Sequence, residues 1–153
     1  MSLFSIFKKP AFFNPKEQEG MVQAIQEAER RTSGEIRVFI ESKCKYVHPL
    51  DRAVEIFYGL KMEKTVEKNA VLVYLATKDH QLAIFADEGI HKKTGKNFWK
   101  DQVQLMLGHF NKDDYAAGII QVINHIGEAL HEHFPYKLDT DKNELPDDII
   151  FGK

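Results

Sequence analysis

Four side chains in this sequence are oxygen donors of the type that hard divalent cations prefer, and each stands at the border of an apolar run. Glu35 opens Glu35-Ile36-Arg37-Val38-Phe39-Ile40-Glu41. Asn69 precedes Ala70-Val71-Leu72-Val73-Tyr74-Leu75-Ala76, and Asp87-Glu88 follow Gln81-Leu82-Ala83-Ile84-Phe85-Ala86. Carboxylates held close together without partners repel one another, and a cation relieves that repulsion. The competing reading has the same groups capping strands in solvent, paired with Arg37, Lys68 or Lys92. The residues alone leave both readings open.

Other constellations carry less. Asn111-Lys112-Asp113-Asp114 is an acidic helix start favoured by the helix dipole, with Asp113 the expected cap. It lacks the alternating acids and downstream glutamate of a calcium-binding helix–loop–helix. His125, His131 and His133 are spaced by six and two, not by the four that places two ligands on one helix face. The single cysteine, Cys44, lies between two lysines but within no redox or nucleophile motif, and it rules out an intrachain disulfide. No Gly-x-Gly-x-x-Gly, phosphate-binding Gly-Lys-Ser/Thr loop or Gly-x-Ser-x-Gly elbow is present. These absences argue against a nucleotide-dependent or acyl-transfer enzyme, and no catalytic residue is assigned.

The elements that must position the donors follow from local pattern. Asn14-Pro15 with Glu17 reads as a helix start, continued by Met21, Val22, Ile25 and Ala28 on one face and ended by Thr32-Ser33-Gly34. A strand over 35–41 follows, with Ile36, Val38 and Ile40 facing one way. Pro49-Leu50-Asp51 opens a second helix with a stripe of Ala53, Val54, Ile56, Phe57 and Leu60. The unbroken run 70–76 suits a central strand covered on both faces, and Thr77-Lys78-Asp79-His80 turns it into an antiparallel partner over 81–86, closed by Asp87-Glu88-Gly89. Helices are expected over about 96–110 and from about Asp113 to His133, where Pro135 ends the second. A right-handed strand–helix–strand connection makes the first two strands parallel. Glu35, Asn69 with Glu67 before it, and Asp87-Glu88 then gather on one sheet edge.

The chain has 153 residues, enough for one domain with a proper core. Its net charge of −2 and scattered basic doublets exclude the basic stripe of a nucleic-acid binder. No stretch approaches the roughly 20 apolar residues of a membrane span. The reading is therefore a cytoplasmic monomer with no transmembrane segment, although Phe4, Ile6 and Phe7 backed by Lys8-Lys9 offer a short interfacial anchor. Residues 1–13 read as a flexible segment, 14–135 as the domain, and 136–153 as an acidic tail ending in the apolar patch Ile149-Ile150-Phe151.

Several segments in this order resemble the TPM domain family. They are Thr32-Ser33-Gly34-Glu35-Ile36-Arg37-Val38, Lys68-Asn69-Ala70-Val71-Leu72-Val73-Tyr74, Ile84-Phe85-Ala86-Asp87-Glu88-Gly89-Ile90 and Phe110…Tyr115-Ala116-Ala117-Gly118-Ile119, then Phe134-Pro135 and Asn143-Glu144-Leu145-Pro146. The resemblance implies an α/β fold, a three-layer α/β/α sandwich with a mixed, twisted sheet of about four to five strands flanked by helices. It also implies divalent-metal binding, chiefly Ca2+ with Mg2+ as the other candidate, and acid phosphatase activity in plant thylakoid-lumen members. Many members have Asn-Gly where this chain has Asn69-Ala70, which weighs against carrying the phosphatase activity over. The leading expectation is a Ca2+-binding domain with a regulatory or protein-interaction role and Glu35, Asn69, Asp87 and Glu88 as ligands. A metal-assisted phosphatase is one alternative. A metal-free module binding a protein partner through 149–151 or 4–7 is the other.

Overall fold

The computed structural model of the chain describes residues 12–110, 114–136 and 149–152. The described elements run α1 (Pro15–Glu29), β1 (Glu35–Glu41), α2 (Pro49–Gly59), β2 (Ala70–Ala76), β3 (Gln81–Ala86), α3 (Glu88–Thr94), α4 (Lys96–Phe110), α5 (Tyr115–His133) and β4 (Ile149–Phe151). Helix α1 starts on a capping box: Asn14 Oδ1 accepts from Glu17 N at 2.8 Å, and Glu17 Oε1 accepts from Asn14 N at 3.0 Å. The sheet has the order β3-β2-β1-β4. β1 is parallel to β2 in the register Glu35↔Ala70, and β3 runs antiparallel to β2 with Ala86 opposite Val71.

Alternation along the strands splits the core in two. Ile36, Val38, Ile40, Val71, Val73 and Leu75 pack with Ile25, Met106, Ile119 and Ile126 under α1, α4 and α5. Phe39, Leu72, Tyr74 and Ala83 pack with Ala53, Ile56 and Phe57 under α2. The architecture is therefore a mixed four-stranded sheet between two helical layers, as expected. Every residue of β2 is buried, which is why its sequence shows no polar face.

The structure departs from the sequence expectation at three places. Asp87-Glu88-Gly89 does not simply close β3: Asp87 caps α3, a seven-residue helix too short to leave a readable apolar stripe. Ile149–Phe151 is not the end of a tail but a strand, parallel to β1 with Ile149 opposite Val38 and only 1% exposed. Phe13, placed in the flexible N-terminal segment, is 1% exposed and lies in the larger core cluster. The segment 4–7, Asp113, and the Asn143–Pro146 stretch lie outside the described residues.

Candidate functional site

The two polar strand ends and the polar helix cap do meet. Glu35 N donates to Asn69 O at 3.3 Å, and Asp87 N donates to Ala70 O at 2.9 Å. Glu35, Asn69 and Asp87 are all buried, at 2%, 1% and 6% exposure, whereas Glu88 is exposed on the first turn of α3. Three of the four donors are therefore not solvated strand caps.

Their hydrogen bonds are incomplete. Asp87 Oδ1 accepts from Glu88 N at 2.8 Å, while Asp87 Oδ2 is buried with no hydrogen-bond partner among the described residues. Asn69 Nδ2 donates to Ser33 Oγ at 3.1 Å, and Asn69 Oδ1 likewise has no partner. Ser33 Oγ donates on to Glu67 Oε2 at 2.9 Å, so Ser33 and Glu67 hold the amide in one orientation. An acceptor left unsatisfied in the interior costs its full desolvation. Burial raises the Asp87 carboxyl above the ordinary aspartate range, and the charges of Glu88 and Glu63 add to the rise; the Glu88 N–H and Lys68 oppose it.

Sequence reading passed over Glu63, gave Ser33 only a helix end, and gave Lys68 only a place among the basic partners of the strand-end acids. Lys68 takes a left-handed backbone (φ 53°) and sends Nζ to Glu63 O at 2.7 Å, folding the 61–69 loop under α3. Glu63, Thr65, Glu67 and Asn69 recur with a period of two before β2, a pattern that could have marked this loop as a shaped lead-in instead of a polar spacer. Among the described residues, no three His, Cys, Asp or Glu side chains form a group that could hold a metal ion. What the edge offers is a mixed oxygen set, the two buried carboxylates of Glu35 and Asp87 and the buried amide of Asn69, with Glu67 and Glu88 flanking them. That composition fits a hard cation that completes its shell with water and backbone carbonyls, not a soft-metal cage.

The opposite sheet edge is satisfied. Glu41 receives a bidentate pair from Arg52 Nε and Nη2 at 2.9 and 3.0 Å, and the Tyr74 hydroxyl donates to its Oε2. Burial pushes the Glu41 carboxyl up, but Arg52 and Tyr74 outweigh it and hold the group below the usual glutamate range. A fully bonded buried carboxylate of this kind is structural. The histidines do not assemble either: His125 Nδ1 bonds Gln102 Oε1 at 3.0 Å, and His131 Nδ1 donates to Arg31 O at 2.8 Å. Asp114 makes no side-chain cap to α5, and its Oδ2 lies 3.4 Å from His109 Nδ1. No described helix is long and apolar enough to cross a membrane.

A family model described as TPM domain matches residues 6–129. Among solved structures, the chain is similar to the NMR structure of BA42 protein from the psychrophilic bacterium Bizionia argentinensis. That match has 36% identity and a TM-score of 0.85, over 94% of this chain and 97% of that one. The N-terminal domain of cg2496 protein from Corynebacterium glutamicum aligns at 13% identity and TM-score 0.63, over 78% and 74% of the two chains. The N-terminal domain of a protein from P. gingivalis aligns at 17% and 0.65, over 83% of each. These two show the fold alone. No curated protein matches the chain.

Proposed function

The chain belongs to the TPM domain family, and from that premise we propose that it is a divalent-cation-binding domain, with Ca2+ the preferred ion and Mg2+ the competitor. The observation that carries this reading is the pair of orphaned oxygens, Asp87 Oδ2 and Asn69 Oδ1, buried on one sheet edge. Those two atoms would be the inner ligands. Glu35 and Glu88 would contribute from the neighbouring strand and helix ends. A bound cation supplies positive charge that offsets the burial of Asp87 and the repulsion from Glu88 and Glu63. The chain's own contribution is to hold the oxygens in place: Ser33 and Glu67 orient the Asn69 amide, and the Glu88 N–H fixes the Asp87 rotamer. Since Asp87 also caps α3, occupancy would set how firmly α3 sits on the strand ends, and this is the regulatory role we assign to the site.

Calorimetric titration of the full chain with Ca2+ and then Mg2+ tests the reading. Saturable heat that disappears in Asp87→Ala and in Asn69→Ala supports it. Absence of heat in the unsubstituted protein, or heat that survives both substitutions, overturns it.

A further inference from the structure

We propose that the outward face of α2 pairs with the same face of a second copy of this chain, the two helices running antiparallel about a two-fold axis at Val54. This goes beyond the cation site and uses none of its residues. Core residues from α1, α3, α4 and α5 all lie in the cluster on one side of the sheet, whereas α2 alone among the described helices packs on the other. Its buried positions are Ala53, Ile56 and Phe57, so the opposite face of the helix is left to solvent.

That face is apolar. Leu50, Val54 and Tyr58 follow one another at intervals of four, which aligns them along the helix. Leu50 is 48% exposed and Tyr58 49%, Val54 is half-buried, and Val47 just before the helix is 85% exposed. Leu50 and Tyr58 stand on either side of Val54 at equal distances of about 6 Å along the axis. An antiparallel copy centred on Val54 therefore sets Leu50 of each chain against Tyr58 of the other. This is the residue-for-residue reciprocity that a two-fold interface requires.

The charges around the stripe select a second copy as its occupant and fix the direction of pairing. Asp51, exposed in the first turn, and Lys61, exposed just beyond the last, bracket the stripe with opposite signs. An antiparallel pair brings Asp51 of each chain beside Lys61 of the other, on the same flank of the contact. A parallel pair would set acid against acid and base against base. Lys64, also exposed, extends the basic end, and the helix dipoles favour the antiparallel arrangement as well. Glu55, the other acid bordering the stripe, is already engaged by Arg52 and by the Tyr46 hydroxyl, so it adds little unbalanced charge. A lipid surface calls for basic side chains along the apolar stripe, and here Asp51 and Glu55 run beside it.

Sedimentation equilibrium of the full-length protein in EDTA, from about 5 μM to about 1 mM, should show a monomer–dimer equilibrium with Kd of about 10–500 μM, in keeping with an interface below the standard size. Leu50→Asp, with folding verified by circular dichroism, should weaken association by about tenfold or more. Asp51→Lys and Lys61→Glu should each weaken it by about threefold or more, because each sets like charges together at both ends of the contact. Combining the two reverses both pairs and should return the affinity to within about twofold of the parent. Protein that stays monomeric at the highest concentration overturns the proposal. So does a Leu50→Asp variant that associates as tightly as the parent, or a charge-reversed double variant no tighter than the single ones.

Discussion

A Cβ built on Gly89 would fall 2.5 Å from the carbonyl oxygen of Lys68 and closer still to that of Glu67, so α3 begins in direct contact with the backbone of the 61–69 loop. Ile90 N seals the contact by donating to Lys68 O at 3.3 Å. No side chain fits there without moving the helix cap off the strand ends, and the backbone carbonyls cannot step aside as a flexible side chain could. Gly89→Ala should therefore destabilise the fold by about 1–3 kcal/mol, read by urea denaturation. Because the same displacement carries Asp87 away from Asn69, Ca2+ affinity should fall with it. A variant with native stability and native Ca2+ response would show that this contact is not what places the site.

Asp87 gives the site a pH signature. Burial, with Glu88 and Glu63 adding to it, raises its carboxyl above the ordinary value of 3.8. A folded-state value raised in this way contributes stability that is complete below the unfolded value and lost as pH rises through the folded one. The cation-free protein should thus lose stability as pH climbs from the ordinary aspartate range through the raised value, and Asp87→Asn should abolish that loss. Calcium at a hundredfold excess over its Kd should return about 2.7 kcal/mol to the parent protein at neutral pH and nothing to the variant. Thermal melts between pH 3.5 and 7 in EDTA and in Ca2+, with both proteins (pH limits approximate, bracketing the carboxylate range), check both signs. Superimposable pH curves for parent and variant would refute the assignment.

The same residues explain how far the sequence could be read. Glu35, Asn69 and Asp87 were found because each interrupts an apolar run, and strand direction alone then put them on one edge. Their burial was not legible: a carboxylate at a strand border looks the same whether it faces water or a helix. Ser33 was read as a helix terminator because its partners, Glu67 and Asn69, lie 34 and 36 positions away. Helix α3 escaped for a different reason. Its seven residues, Glu88–Thr94, bury only Ile90, so no periodicity announces it. The Gln102–His125 bond, 23 positions apart, was hidden in the same way.

Strand β4 shows the limit most clearly, since Ile149-Ile150-Phe151 follows a polar stretch and resembles a docking patch until its pairing with β1 is known. Ile149 is 1% exposed and joins the larger core cluster. Ile149→Ala should cost about 2–4 kcal/mol in urea denaturation. Truncation after Asp148 should uncover the β1 edge and promote concentration-dependent association, measurable by light scattering. If the truncated protein stays as stable and as monodisperse as its parent, the strand contributes nothing to the domain.

Glu41 and Arg52 should behave oppositely to Asp87. Although burial pushes the Glu41 carboxyl up, Arg52 and Tyr74 hold it below the ordinary 4.5. Its stability contribution is therefore present above the unfolded value and lost as pH falls through the folded one. The seat is tight: a Cβ at Gly152 would come 2.8 Å from Glu41 Cβ, so the carboxylate cannot swing out past β4. Arg52→Met leaves that carboxylate buried with only the Tyr74 hydroxyl. The cost at neutral pH should be about 2–3 kcal/mol, below the usual figure for a buried pair because the Arg52 side chain keeps 23% exposure. Acidification through the glutamate range neutralises Glu41 and should shrink that cost, whereas Glu41→Gln should flatten the acid limb of the parent's stability curve. The double variant should be more stable than the sum of the two single losses allows, because its buried charge is gone. A loss in Arg52→Met that stays constant from pH 7 down through the glutamate range would mean that the guanidinium acts by packing on Phe39, 5.9 Å from its ring centroid, and not by its charge.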